Sequence, residues 1–251
     1  MLPTFHLGVW QFRTYGVLLS LVALVIGMYG FHRLRRLGLP TALLLQAGVP
    51  VLVSGFAAAL LAVYLPRLLH TGALGQGGGM TISWGAAGAI SVAVISCWRY
   101  RLPLGRAFDL GVLACPLGQA IGRLGCLAAG CCAGKVTTSG LGMYLPGAGG
   151  VWAVRYPTQL LDAAAHLLIF LALLAVERRG RQPFDGFLFV LYLALSSAVR
   201  FGMGFLREEA IPVTGPLSAM HLQGIAGLAI AMALILWNMG RSPARILTAR
   251  Q

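Results

Sequence analysis

Seven stretches of this chain are apolar over a length that matters. They run approximately over 14–31, 42–66, 82–98, 107–128, 157–176, 184–206 and 217–239. A bilayer hydrocarbon core of about 30 Å needs about 20 apolar residues in helical form. Each stretch therefore predicts a transmembrane helix. Between them lie "FHRLRRLGLP", "RLLHTGALGQGGGM", "RYRLPLGR", a long glycine-rich segment over 129–156, "ERRGRQPFD" and "REEAIPVTGP". No repeat of 20–50 residues is visible, and no segment reads as a soluble domain. The pattern predicts one all-α transmembrane bundle spanning 1–251.

Composition agrees with that pattern. Of 251 residues, 58% are hydrophobic and 10% charged, whereas a soluble domain carries about 25% charged residues. The formal net charge is +13. In a soluble protein that would suggest nucleic acid. Here the arginines flank the spans, so no nucleic-acid partner is expected. Summed over alternate loops, 12 basic residues fall on one side and 5 on the other. The positive-inside rule places the richer side in the cytoplasm. The N-terminus is then outside, the C-terminus cytoplasmic, and 129–156 extracytoplasmic. The first apolar run, after "MLPTFHLGVWQFRTYG", lacks the basic start and small-residue cleavage site of a signal peptide and is expected to be retained.

Two arginines lie inside spans. Arg123 and Arg200 each fall 16 residues past the cytoplasmic start of an outward-running helix, or about 24 Å up at 1.5 Å per residue. Arg207 follows two turns after Arg200 on the same face. A charge within a span is costly and marks a functional site by default. Guanidinium forks suit phosphate oxygens, so the expected partner is the phosphate of an outer-leaflet anionic phospholipid. The competing reading has each arginine snorkelling to headgroups or pairing with Asp109 or Asp162. Asp162, one helical turn after Gln159 and near Pro157, is placed to steady an arginine. Gly118 and Gly122 form a small-xxx-small pair with Gly125 nearby, which suits close helix packing.

"GRLGCLAAGCCAG" at 122–134 carries Cys126, Cys131 and Cys132. The helix is expected to end near Gly130. Four readings of the thiols stand: small apolar packing, a disulfide on the oxidising outer side, a thiolate activated by Arg123 for transfer, and a metal site. Three thiols without a fitting His or acid make a poor zinc set, so neither metal nor cofactor is expected. Cys97 and Cys115 read as core. Among the histidines, His6, His32 and His70 read as interfacial and His166 as mid-span packing. His221, at the outer start of the last span, is the remaining general-base candidate. It is expected at the mouth of a cavity between Arg123 and Arg200.

The same stretch resembles the signature of the prolipoprotein diacylglyceryl transferase family. The likeness runs on through "FRTYG", "RLRRLGLP", "FDLGVLACPLGQAIGR", "YPTQLLDA" and "RFGMGFLR", and through the His221–Gln223 region. It implies an enzyme that moves the diacylglyceryl group of phosphatidylglycerol onto a cysteine thiol of a prolipoprotein lipobox, with release of glycerol phosphate. It implies an active site on the extracytoplasmic face of a bacterial inner membrane. Tyr15, Asp109, Gly122, Arg123, Gly125, Gly134, Gln159, Arg200 and Arg207 match family motif positions. Several positions depart. Ser83 stands where the family has a His in "HGGLxG", Cys126 replaces an Asn, Cys131 an acid, Gly204 the acid of "RFxxE", and Tyr156 a His. "GFA" at 55–57 stands where the family carries a Gly-x-Arg. The arginines are kept and the expected base is not.

The expected catalytic set is thus Arg123, Arg200, Arg207, Cys126, Cys131 and His221. Tyr15, Ser83, Gly122, Gly125, Gln159 and Asp162 are expected to bind substrate. Two other functions remain open: a non-catalytic membrane protein that binds an anionic lipid or a partner, and a membrane thiol-redox protein. The absence of a CxxC pair weighs against the latter.

Overall fold

A computed structural model describes residues 4–7, 10–13, 21, 24–25, 27–30, 32, 42, 44–68, 78–147, 149–180, 182–208, 212–214 and 217–241. The chain divides into two compact units, residues 30–110 and residues 1–29 together with 111–251.

In the first unit, a π-helical turn over Leu44–Gly48 leads into α1 (Val49–Leu68), and α2 covers Gly78–Arg99. α1 and α2 touch through small residues. A Cβ on Gly88 would lie 2.6 Å from the Ala58 Cβ and 2.9 Å from the Ser54 carbonyl oxygen. The backbones therefore approach as small-residue packing allows in membranes, and the Ser54 hydroxyl donates across to the Gly88 carbonyl at 3.3 Å.

In the second unit, the antiparallel hairpin of β1 (Thr4–Leu7) and β2 (Trp10–Arg13) precedes helical positions between Leu21 and Tyr29. Helix α3 (Leu104–Val112) begins in the first unit, which ends at residue 110, and the chain then enters the second unit, where α4 covers Ala114–Ala129. Next come β3 (Met143–Pro146) and β4 (Trp152–Arg155), then α5 (Thr158–Arg178) and α6 (Phe187–Leu206). The short pair β5 (Pro212–Thr214) and β6 (Leu217–Ser218) precedes α7 (Ala219–Arg241). α4 packs on α5, α5 on α6 and α6 on α7.

Four segments among the described residues are long and apolar enough to cross a membrane: Leu104–Ala129, Thr158–Arg178, Phe187–Leu206 and Ala219–Gly240. Leu168, Leu171, Ile225, Ile230, Met232 and Leu236 are exposed on them. Hydrocarbon outside, not water, makes that surface stable. The protein is a mostly helical membrane protein. Among the described residues, three small hairpins depart from the all-α expectation, and β3–β4 lies inside the stretch read as a glycine-rich loop.

The apolar core sits at one end of this unit. Val112, Leu113, Ile169, Leu173 and Leu188 are buried together, with Tyr29, Phe170 and Tyr192 against them. They come from the end of α3, the beginnings of α4 and α6 and the far half of α5. The opposite end gathers the end of α4, the start of α5, the end of α6 and the start of α7. That is where Arg123, Asp162, Arg200 and Arg207 fall.

Candidate functional site

Gly130 stops α4. Its φ of +71° is left-handed, and the Cys131 amide donates back to the Cys126 carbonyl at 3.0 Å. This is the helix-ending geometry that glycine adopts without a Cβ penalty. Cys132 is also left-handed, at φ +63°, a conformation that strains a residue bearing a Cβ. Two hydrogen bonds from the first turn of α5 hold this strained corner. Thr158 Oγ1 donates to the Cys132 carbonyl at 2.8 Å, and Gln159 Nε2 donates to the Cys131 carbonyl at 2.7 Å.

The next residues thread a narrow gap. The Gly134 amide donates to the Tyr156 carbonyl at 3.0 Å and the Lys135 amide to Leu206 at 2.8 Å. Gly134 and Arg207 pair as an isolated antiparallel bridge. A Cβ at Gly134 would stand 2.7 Å from the Tyr156 Cβ and 2.8 Å from the Leu206 oxygen, so only glycine passes. Beside it, buried Arg155 forms a 2.6 Å ion pair with Glu208 and reaches the Gly134 carbonyl at 3.4 Å. The end of α4, hairpin β3–β4 and the end of α6 are thereby tied together.

Within this frame the three arginines meet. Arg123 Nε lies 2.6 Å from Asp162 Oδ2. Asp162 in turn accepts from His166, whose Nδ1 is 3.0 Å from Oδ1 and 2.8 Å from the Asp162 carbonyl. Arg200 donates through Nε to Gln223 Oε1 at 2.8 Å. Arg207 reaches the Met220 sulfur with Nη1 at 3.8 Å. Arg200 lies within the electrostatic reach of Arg123, Arg207 and Asp162. Three cationic groups and one carboxylate therefore share one region. Gln159 Oε1 is buried nearby without a hydrogen-bond partner.

All five cysteines are free thiols. The Sγ atoms of Cys126, Cys131 and Cys132 lie within 4.8 Å of one another. A helix continuing through Gly130 would have spread Cys126 and Cys131 around its axis, but the left-handed corner turns them back together. Cys132 lies beyond the end of α4. Its thiol is held below the ordinary thiol range by hydrogen bonds from Cys126 and Cys131, then by the Arg207 and Arg123 charges. Cys131 moves the other way, its thiol raised by its hydrogen bonds with Cys126 and Cys132 and by burial.

His221 departs from expectation. It is not at a cavity mouth but 1% exposed, edge-on to Phe201 and Phe205. Its ring fills the space that a side chain at 204 would take, since a Cβ on Gly204 would fall 2.7 Å from His221 Cε1. The Ser218 amide donates to Nδ1 at 3.0 Å. The neutral ring must then carry its proton on Nε2, an atom buried without a partner. With its one lone pair engaged, His221 has none to offer as a base.

Other expected residues fall as follows. Gly125 is buried in α4, whereas a Cβ on Gly122 would meet nothing within 4 Å among the described residues. Tyr15 and His70 lie outside the described residues, as does the Ser83 side chain, although Ser83 belongs to α2. Asp109 is buried in α3. Cys97 is buried as expected, but Cys115 is exposed. Sequence reasoning missed Arg155, Glu208 and the bond from His166 to Asp162. The i,i+4 spacing of Asp162 and His166 on α5 was the available signal for the last.

The family model for prolipoprotein diacylglyceryl transferase matches residues 3–237. A phosphatidylglycerol–prolipoprotein diacylglyceryl transferase of Dehalococcoides mccartyi is 30% identical over 253 residues, covering 93% of this chain and 92% of its own length. One of Geobacter sulfurreducens is 30% identical over 232 residues, with 87% of each covered. One of Chlorobaculum tepidum is 35% identical over 131 residues, or 52% of this chain and 44% of its own.

Proposed function

The chain belongs to the prolipoprotein diacylglyceryl transferase family, and from that membership and its arginine site we propose that it transfers the diacylglyceryl group of phosphatidylglycerol to an acceptor cysteine thiol in a prolipoprotein lipobox. The observation that carries the reading is the charge at the end of the bundle. Arg123, Arg200 and Arg207 supply three positive charges there, and Asp162 offsets one. A membrane-buried excess of that kind calls for an anion, and a phospholipid phosphate is one the bilayer supplies.

In the proposed reaction the arginines grip the phosphodiester and stabilise the charge that develops on departing glycerol phosphate. Asp162 orients Arg123 through its contact with Nε, leaving the terminal nitrogens for the ligand. Gly122 gives the glyceryl moiety room to approach, and Gly125 keeps α4 close to its neighbours. Gln159 positions the Cys131 carbonyl and offers its free oxygen to a donor on the lipid headgroup. Tyr15 and Ser83 belong to the lipid-binding set by family position. His221 supports the end of α6 and presents Nε2–H. Cys126 and Cys131 line the acceptor side.

We place seven spans in one bundle, with the N-terminus outside and the C-terminus in the cytoplasm of a bacterial inner membrane. The arginine end then faces outward, where a translocated acceptor arrives. The excess of arginines in the alternate loops supports that orientation.

The test is direct. Purified protein in vesicles containing labelled phosphatidylglycerol is given a lipobox peptide. A diacylglyceryl thioether should form with one equivalent of glycerol phosphate, and Arg123→Ala should abolish both. Saturable lipid binding without product would instead identify a non-catalytic lipid-binding protein.

A further inference from the structure

Packing alone does not account for the cysteines at the end of α4. Gly130 turns the chain out of the helix, and Cys132 takes a left-handed backbone at φ +63°. Backbone bonds fix this corner at each cysteine. The Cys131 amide donates to the Cys126 carbonyl at 3.0 Å. Thr158 Oγ1 donates to the Cys132 carbonyl at 2.8 Å and Gln159 Nε2 to the Cys131 carbonyl at 2.7 Å. The Cys131 S–H donates to the Cys126 carbonyl at 3.6 Å, which turns that sulfur back over the helix end. Three Sγ atoms then lie within 4.8 Å of one another, and among the described residues no histidine or carboxylate joins the group. We propose that Cys126, Cys131 and Cys132 form a three-thiolate site for a soft monovalent metal ion, Cu(I).

The donor set selects the ion. At a metal–thiolate bond of about 2.3 Å, a planar three-coordinate centre spaces its sulfurs about 4.0 Å apart, a spacing these side chains reach by small rotations. Zinc in a closed site takes four ligands, and the group supplies three. Copper(I) prefers thiolate sulfur and is satisfied by three. The want of a fitting His or acid, which argues against zinc in the sequence, leaves nothing missing for copper(I). Access is provided as well. Cys131 is exposed while Cys126 and Cys132 are half-buried, so an ion enters at Cys131 and is shielded by the other two.

The charges match. Binding breaks three S–H bonds, forms three Cu–S bonds and releases three protons to solvent, with no change of oxidation state. Copper(I) with three thiolates carries two negative charges. Arg207 and Arg123 act on Cys132, and Arg200 lies within reach of both. With Asp162 on Arg123, the three arginines leave two positive charges beside the sulfurs. A buried charge is tolerated where an opposite charge pairs it. A divalent ion on the same three thiolates would leave one positive charge over. The site stands whether or not the protein transfers a lipid.

Full-length protein in detergent, reduced and kept free of oxygen, is titrated with the acetonitrile complex of Cu(I) against bicinchoninate, a colorimetric Cu(I) chelator. One equivalent should be withdrawn from the chelator, and X-ray absorption at the copper edge should show three sulfurs at about 2.3 Å. Cys126→Ser, Cys131→Ser and Cys132→Ser should each weaken retention more than about 100-fold, and Gln159→Leu, which frees the Cys131 carbonyl, about tenfold, the scale for a group that orients a ligand. Cys115→Ser should leave retention unchanged. A second measurement needs no variant to fold. In the wild-type protein, one equivalent of Cu(I) should protect Cys126, Cys131 and Cys132 from N-ethylmaleimide and leave the labelling of Cys115 as it was. Copper that stays on the chelator, labelling of the three thiols unchanged by copper, a centre with fewer than three sulfurs, or undiminished retention by Cys132→Ser would each overturn the site.

Discussion

Arg123 lies six residues before the end of α4 and Arg200 six before the end of α6, yet their charges are handled differently. Arg123 is locked to Asp162, which is itself fixed by His166. Among the described residues, Arg200 donates to a neutral amide, Gln223, and Arg207 to a thioether sulfur beside its backbone bridge. The α4–α5 side therefore carries its compensation within the protein. The α6–α7 side shows no ion pair for Arg200 or Arg207 among the described residues. In the proposed transfer, one anchored fork and two others would receive the phosphate with little rearrangement as charge develops.

This contrast can be broken first at Arg200. Arg200→Ala should lower transfer by roughly 10²–10³-fold, the scale of losing one stabilising donor at a developing oxyanion. Arg200→Lys should recover only part, because a single ammonium cannot replace a planar fork. Initial rates with labelled phosphatidylglycerol report both. On the compensated side, Asp162→Asn removes one partner of a buried pair and should cost about 3 kcal/mol of stability, read from denaturation in mild detergent. Its effect on folding should exceed that of Arg200→Ala, which leaves no buried carboxylate behind.

Smaller effects sharpen the picture. Gly204→Ala drives a methyl into the His221 ring and should cost about 1–3 kcal/mol. Gly204→Ala combined with His221→Ala should be less destabilising than the sum of the two. Gln223→Ala removes a charge-assisted bond from Arg200 and should raise the apparent KM for lipid about tenfold or less, with kcat little changed.

Much of this was legible in the sequence, and the reasons are local. The four membrane-length segments from Leu104 onward follow from run length, the end of α4 from Gly130, and the nearness of the arginines from matched depth on α4 and α6. Asp162 as an arginine partner follows from its place near the start of α5. The hairpin β3–β4 was missed, although "GMYLPGAGGVWAVR" holds two strand-like runs about a glycine-rich turn. The Arg155–Glu208 pair joins residues 53 positions apart, and no periodicity reveals such a contact. The thiol cluster depends on Cys132 adopting a left-handed backbone, which sequence disfavours and only the surrounding bonds impose. His221 stands as a general-base candidate in the sequence because its position along the span is visible there. The cavity left by Gly204 and the Ser218 amide are not.

The central claim is that arginines from α4 and α6 hold one anion together. A double-mutant cycle on phosphatidylglycerol affinity tests it most directly, using Arg123→Ala, Arg200→Ala and both together in nanodiscs with neutral lipid as background. A shared phosphate predicts strong non-additivity, with a coupling of about 1–3 kcal/mol, and little further loss from the second change once the first is made. Losses that add within about 0.3–0.5 kcal/mol would mean two independent cations and would contradict the shared site.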